Sequence, residues 1–356
     1  MAFLKRMIKV SYEIHTENTN TKKQMKTRRQ FLKTTMLSCA GFFVGCASSK
    51  SSEQIDLSLK YGAKRKFKMK FTPRFPMGYQ SIAGKDPFKR MQFFRDAGFT
   101  AVEGVVFVAH NGKDYTEPQK QQQIALGKMA RELGLEMGNV SSMNDKDFAM
   151  MGEYQLPIKG KYVSSKEGLR EELVRRMEKT FGVLERLGSK EFIIGAGTKG
   201  SKLSATKQMD NTIENMAFCA DYVAKRGYKI VIEPLNTVSH PNIFIDNATL
   251  GAEIVRAVNK PSCRLLYDLF HEQMQVGNIK SLDDDNVWNC IESFHIADAP
   301  QRCEPTSGVI DYKNVLKKIW DKGFRGFLGL EHRQTENTKE KDLQILQIYR
   351  DLDIQS

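Results

Sequence analysis

Short runs of β-branched and aliphatic residues recur along the chain, and most are followed by a stretch with helical spacing. The runs are Met69–Pro73, Ala101–Phe107, Leu135–Val140, Glu191–Ala196, Ile230–Pro234, Arg264–Phe270, Ser293–Ala297 and Gly326–Glu331. Leu169, Leu173, Val174, Met177, Phe181, Leu184 and Leu187 form an apolar stripe, mostly at steps of three and four. That spacing puts them on one buried helix face. Arg90–Ala97, Gln122–Leu133, Thr212–Arg226, Leu250–Val258, Tyr312–Trp320 and Asp342–Leu352 read as helices too. Helices often end on a glycine just before the next strand, as at Leu133-Gly134-Leu135 and Leu187-Gly188-Ser189. Glycine takes the left-handed cap conformation at little cost. Strand starts recur about every 29–39 residues, except for a longer gap after the third. That gap holds Ser141–Ser165, a candidate active-site loop. Eight strand–helix units across residues 67–353 predict an α/β fold, a single (β/α)8 barrel. The rival is an open doubly wound sheet, but no Gly-x-Gly-x-x-Gly turn follows the first strand.

Composition agrees with a large packed domain, since 40% of the 356 residues are hydrophobic. The net charge of +13 resembles a nucleic-acid signal until it is divided along the chain. Residues 1–45 hold nine Lys and Arg against two Glu, or +7; the remainder carries 46 against 40, or +6, without a long basic run. Nucleic acid is therefore not an expected partner.

The first segment reads as an address. Thr27-Arg28-Arg29-Gln30-Phe31-Leu32-Lys33 matches the twin-arginine export pattern, and an apolar stretch from Met36 to Val44 ends at Gly45-Cys46-Ala47. Basic residues, a brief apolar region and then small residues are the layout of a signal peptide. Cys46 resembles the lipidated cysteine of a lipobox, although Phe43 stands where leucine is usual; cleavage after Ala47 is the alternative. Met25 is an alternative start, and a buried apolar helix is the bland reading of the segment. Residues 1–46 are thus expected to be a signal segment and 47–66 a flexible tether, containing Ser48 to Glu53. The expected destination is the periplasm, either free or as a membrane-anchored lipoprotein, with membrane contact only through signal or lipid. Of six cysteines, two lie in this segment, and the other four show no CxxC spacing. Buried free thiols are expected.

In a (β/α)8 barrel the carboxyl ends of the strands line the active site. Those ends offer Glu233 in Ile-Glu-Pro-Leu-Asn, Asp268 and His271 in Tyr-Asp-Leu-Phe-His, His295 in Phe-His-Ile-Ala-Asp, and Glu331 in Leu-Glu-His. Taken singly, each has a bland reading as a salt-bridge partner or a hydrogen-bonded core histidine. Four successive strands each offering a ligand at one level point instead to a divalent cation. Three carboxylates with one imidazole suit Mn²⁺ or Mg²⁺, with Zn²⁺ or Co²⁺ as alternatives. His240 and His332 are expected at the surface or behind the site, and His110 in a loop.

Residues 67–353 resemble the xylose isomerase-like TIM-barrel superfamily, and most closely the hydroxypyruvate isomerase family. The resemblance rests on Ala97-Gly-Phe-Thr-Ala-Val-Glu103, Glu233-Pro-Leu-Asn236, Asp268-Leu-Phe-His271, Ile296-Ala-Asp-Ala-Pro-Gln-Arg302-Cys-Glu304-Pro and Gly308-Val-Ile-Asp-Tyr312. It implies that Glu233, Asp268, His295 and Glu331 bind a metal and that Glu233 and Glu331 exchange substrate protons. It also implies that His271, Arg302 and Glu304 hold a small sugar or hydroxy-keto acid. Three departures alter the substrate rim. His295 replaces the glutamine of hydroxypyruvate isomerases and is similar to the histidine of ketose 3-epimerases; Val309 replaces a glutamate, and His332-Arg333 replaces Tyr-Lys.

The expected chemistry is an aldose–ketose proton transfer through an enediolate, run by two glutamates. The alternatives are a ketose 3-epimerase, a keto-sugar lyase and a non-catalytic sugar-binding lipoprotein; a homo-oligomer is left open. Endonuclease-IV-like chemistry would need a richer histidine cluster than this chain's six His provide.

Overall fold

Each strand–helix unit forms for reasons visible in its residues. In the computed structural model the helix Glu117–Leu133 starts at a capping box, Thr116 with Gln119, and stops at Gly134 in the left-handed conformation. The helix Ala205–Ala224 begins seven residues before the apolar stripe predicted, because the Ser204 side chain caps Lys207 N–H. The described residues are 66–354, apart from 76–77, 105–113, 144–164, 196 and 200–202. The signal segment with Cys46, the tether up to residue 65, His110 and most of the loop 141–165 lie outside them.

The strands are β1 (Lys70–Pro73), β2 (Ala101–Val102), β3 (Glu136–Met137), β4 (Val140–Met143), β5 (Glu191–Ile194), β6 (Lys229–Ile232), β7 (Cys263–Asp268), β8 (Ile291–Ile296) and β9 (Phe327–Leu330). Seven form one parallel sheet in the order β1-β9-β8-β7-β6-β5-β4, and β2 pairs with β3. The two sheets join into a ring. Glu103 N–H donates to Pro73 O, Phe75 N–H donates to Glu103 O, and Gly138 N–H donates to Val102 O. Thus β3 and β4 are two halves of one staggered strand, and the predicted eight-stranded α/β barrel is present.

Among the described residues, eight helices of at least eight residues follow the strands: α1 (Pro87–Asp96), α2 (Glu117–Leu133), α3 (Lys166–Leu187), α4 (Ala205–Ala224), α5 (Ala248–Val258), α6 (Leu269–Val276), α7 (Tyr312–Asp321) and α8 (Lys339–Leu352). The stripe predicted on α3 is its buried face, from Leu169 to Leu187. Strand alternation divides the core in two. Phe192, Ile194, Ile230, Ile232, Leu265 and Tyr267 join the large core that includes buried helix residues, whereas Ile193, Val231 and Leu266 form a separate small cluster. The second set fills the barrel interior. Two residues further along the same face come the carboxyl ends of the strands. Cys219, Cys263, Cys290 and Cys303 are all buried free thiols, as expected.

One interior residue carries a stability prediction. Glu191 opens β5 and is buried. Burial, together with Glu292, pushes its carboxyl up to about 8, against the partial relief of Lys229. The folded state therefore holds a proton that the unfolded chain has already released above its ordinary value of 4.5. Stability from this group is full below pH 4.5 and is lost as pH rises towards 8. Glu191→Gln is expected to be near neutral at pH 5 and to stabilise at pH 9 by on the order of 3 kcal/mol. Urea unfolding at both pH values checks this, and equal effects at the two would sink it.

Candidate metal centre and active site

The interior face delivers Glu233, Asp268, His295 and Glu331 to one level. One ligand atom from each lies within 4.8 Å of the others. Strand register explains the meeting: Asp268 pairs with His295, and His295 pairs with Gly329, two residues before Glu331. Glu233, Asp268 and His295 are buried and Glu331 is nearly so.

Asp268 has two functions. Its Oδ1 accepts from Phe270 N–H (2.8 Å) and His271 N–H (3.1 Å), so it ends β7 and caps α6. Its Oδ2 faces the site, 3.2 Å from Arg302 Nη2 and 3.9 Å from His295 Nδ1. The strand predicted to run through Phe270 stops here because the carboxylate supplies a helix cap. The same cap places His271 on the first turn of α6. His271 Nδ1 accepts from Asn236 N–H at 3.0 Å, and its Nε2 faces the site beside Arg302 Nη1 at 3.1 Å. Burial, and then the Arg302 charge against the pull of Asp268, lowers the affinity of this ring for a second proton.

Arg302 is presented by a loop tied to Asp298, whose carboxylate accepts from Ala299, Gly308 and Ile310 N–H. Arg302 holds a left-handed φ of 56°, which a non-glycine residue adopts at a cost of about 1–2 kcal/mol. Its Nη2 lies 3.0 Å from Glu331 Oε2, and its Nη1 lies 3.1 Å from His271 Nε2.

Glu304 is not brought into this group. Its carboxylate accepts from Thr335 N–H at 2.9 Å and from the Thr335 hydroxyl at 2.6 Å, with Lys341 beside it at 3.4 Å. It ties the loop after β8 to the loop after β9. The His240 ring is tilted against the His271 ring, with centroids 5.5 Å apart. His332 is not at the surface: it is buried against Tyr349, because α8 packs over it.

Two residues joined the site without being predicted. Arg74 follows β1, with Nη1 meeting Glu331 Oε1 and Nε 3.7 Å from Glu103 Oε1. Glu103 follows β2, with Oε1 3.1 Å from His295 Nε2. Their signal was the one used for the other four strands, a polar residue at a strand's carboxyl end.

The donor set fits a divalent cation. Four carboxylates (Glu103, Glu233, Asp268, Glu331) face two guanidiniums (Arg74, Arg302), a balance of −2 around one imidazole. Burial alone would depress the basicity of His295, but Glu331 and Glu103, with hydrogen bonds to Glu103 and Glu233, raise it well above its usual value. Glu331 shows the converse. Burial would raise its carboxyl, and Arg74, His295 and Arg302 hold it well below the usual range. Glu233 is likewise held low: burial and Glu331 would raise it, but its hydrogen bond to His295 prevails.

Gly329 makes room for this packing. A Cβ there would sit 2.3 Å from Glu103 Oε2 and 2.6 Å from His295 Cδ2. Gly329→Ala is expected to displace the buried imidazole and to destabilise the protein by about 2 kcal/mol. Denaturant melts check it, and an unchanged midpoint would show that the ring can yield.

The fold and this site define a (β/α)8 barrel with a buried cluster of carboxylates and one histidine at its carboxyl end. The chain belongs to the xylose isomerase-like TIM barrel family, whose model matches residues 91–349. Among its relatives is a 2-oxo-tetronate isomerase of Pectobacterium atrosepticum, 23% identical over 278 residues, covering 76% of this chain and 94% of that one. A hydroxypyruvate isomerase of Escherichia coli is 26% identical over 165 residues, covering 46% of this chain and 63% of that one. The structure of D-psicose 3-epimerase with D-tagatose from Clostridium cellulolyticum H10 superposes with a TM-score of 0.59 at 14% identity, over 80% of this chain and 97% of that one.

Proposed function

We propose that the protein is a divalent-metal-dependent isomerase of small sugars or hydroxy-keto acids, using Glu233 and Glu331 as a pair of acid–base groups. The observation that carries this reading is the buried meeting of Glu233, Asp268, His295 and Glu331. The isomerase names borne by the relatives support it. The four residues would hold Mn²⁺ or Mg²⁺, with Zn²⁺ and Co²⁺ as alternatives. A bound divalent ion would supply Lewis-acid stabilisation of the negative charge that develops when a carbon beside a carbonyl loses its proton.

This chain's own groups account for the rest. Glu233 and Glu331 directly follow β6 and β9, on either side of the Asp268 and His295 positions, and both are held ionised. One removes a proton from carbon and one returns a proton, each contributing roughly 10²–10⁴ in rate. His271 and Arg302 hold substrate oxygens, and Arg302 offsets negative charge. Return to the neighbouring carbon makes an isomerase; return to the opposite face of the same carbon makes a 3-epimerase. His295 favours keeping this second reading, since it departs from the glutamine of hydroxypyruvate isomerases.

Proton exchange in D₂O tests the proposal. Mn²⁺- or Mg²⁺-loaded protein is expected to place deuterium beside the carbonyl of hydroxypyruvate, a ketose or an aldose, and EDTA is expected to stop it. The labelled product separates isomerase from epimerase. No exchange across the panel, with metal bound, would overturn the enzyme reading in favour of a binding protein. The twin-arginine and Cys46 signals support export to the periplasm, and fractionation with globomycin treatment separates a lipoprotein from a cleaved soluble form.

A further inference from the structure

Neither Arg74 nor Glu103 has a part in the two-base reaction, yet both are buried at its centre. They are partners in a parallel backbone bridge between the ends of β1 and β2, which sets their side chains on the same face. Glu103 is fully buried and Arg74 only 5% exposed. Glu103 Oε1 lies 3.1 Å from His295 Nε2 and 3.7 Å from Arg74 Nε, while Arg74 Nη1 meets Glu331 Oε1. The absent side chain of Gly329 leaves the space that Glu103 Oε2 and the His295 ring share.

We infer that Glu103 and Arg74 are positioning residues of the cation site: Glu103 keeps the His295 proton on Nε2, and Arg74 locks Glu103 and Glu331 in place. The inference rests on the metal reading of the site and goes beyond its ligand set. His295 Nδ1 faces the other three ligands, 3.1 Å from Glu233 Oε1 and 3.9 Å from Asp268 Oδ2. An imidazole can ligate through Nδ1 only if that nitrogen carries a lone pair, so the ring's remaining proton belongs on Nε2. A buried carboxylate at Nε2 enforces that tautomer and makes Nδ1 more basic. Glu103 would be a costly buried charge without its own partner, and Arg74 supplies one. Because Arg74 also contacts Glu331, one guanidinium couples the orientation of the imidazole to that of an acid–base group.

Calorimetric Mn²⁺ titration of wild type, Glu103→Gln and Arg74→Met tests this, with ¹⁵N-histidine NMR of the Zn²⁺-loaded forms. Glu103→Gln is isosteric and keeps an acceptor, so its expected effect is specific: ten- to a hundredfold weaker Mn²⁺ binding. The His295 Nε2–H resonance is expected far downfield in wild type and upfield of that position in this variant; a merely space-filling Glu103 would not move it. Arg74→Met removes a positive charge beside the cation, so electrostatics alone predict tighter binding. A positioning role predicts weaker binding, by about tenfold. Unchanged affinity and an unmoved resonance in Glu103→Gln would overturn the role of Glu103, and tighter binding in Arg74→Met would overturn that of Arg74. A wild type that binds no divalent ion would instead overturn the metal reading itself.

Discussion

Glu331→Gln is expected to lower proton exchange by roughly 10³-fold or more while Mn²⁺ and substrate still bind. Glutamine keeps an oxygen for coordination and nearly the same volume, but it cannot accept a proton from carbon at neutral pH. The native carboxylate is suited to that work because Arg74 and Arg302 press on it from two sides and keep it ionised in a buried setting. The substitution also strips Arg74 of a buried partner, which costs on the order of 3 kcal/mol of stability. Rates are therefore to be compared below the variant's own melting transition. The measurement is the initial rate of deuterium uptake at saturating substrate. Activity within tenfold of wild type would eliminate the two-base scheme, whatever the variant's affinity for metal.

Removing the ion is expected to have the other large effect. Dialysis against EDTA should abolish exchange, and Mn²⁺ should restore it. Mn²⁺ at a hundred times its dissociation constant adds about 2.7 kcal/mol to the folded state, a rise in melting temperature on the order of 5 °C. The rise should shrink as pH falls from 8 to 6. His295 attracts a proton strongly among its carboxylates, and that proton must leave before Nδ1 can ligate. Lower pH therefore favours the competing proton. A thermal shift that is absent, or that grows with acidity, would contradict the ligand assignment.

Much of this site was legible without coordinates because a barrel converts sequence position into spatial position. Reading the carboxyl end of each late strand was enough to find Glu233, Asp268, His295 and Glu331, and the structure brings them within 4.8 Å. Arg74 and Glu103 follow the same rule at the carboxyl ends of β1 and β2. Glu304 is different: the resemblance implies a substrate contact, and the structure shows its oxygens meeting Thr335 and Lys341 across another loop, a pairing no local spacing reveals. His332 beside Glu331 looked peripheral because its burial depends on where α8 folds back. The strand expected through Phe270 stops at Asp268, since its carboxylate caps the helix that follows.

The residue order by itself determined the alternation of strands and helices, their caps and the polar residues at the strand ends. These follow from local rules: side-chain direction alternates every residue, apolar stripes repeat every three to four, and cap residues act within one turn. Tertiary structure decided which charges meet and which proton each one holds. Arg74 is 29 residues from Glu103 and 257 from Glu331 in the chain, and only closure of the ring brings the three together. Burial then turns that meeting into chemistry, because charges removed from water must find partners among themselves, and the partners available set the protonation of His295 and Glu331.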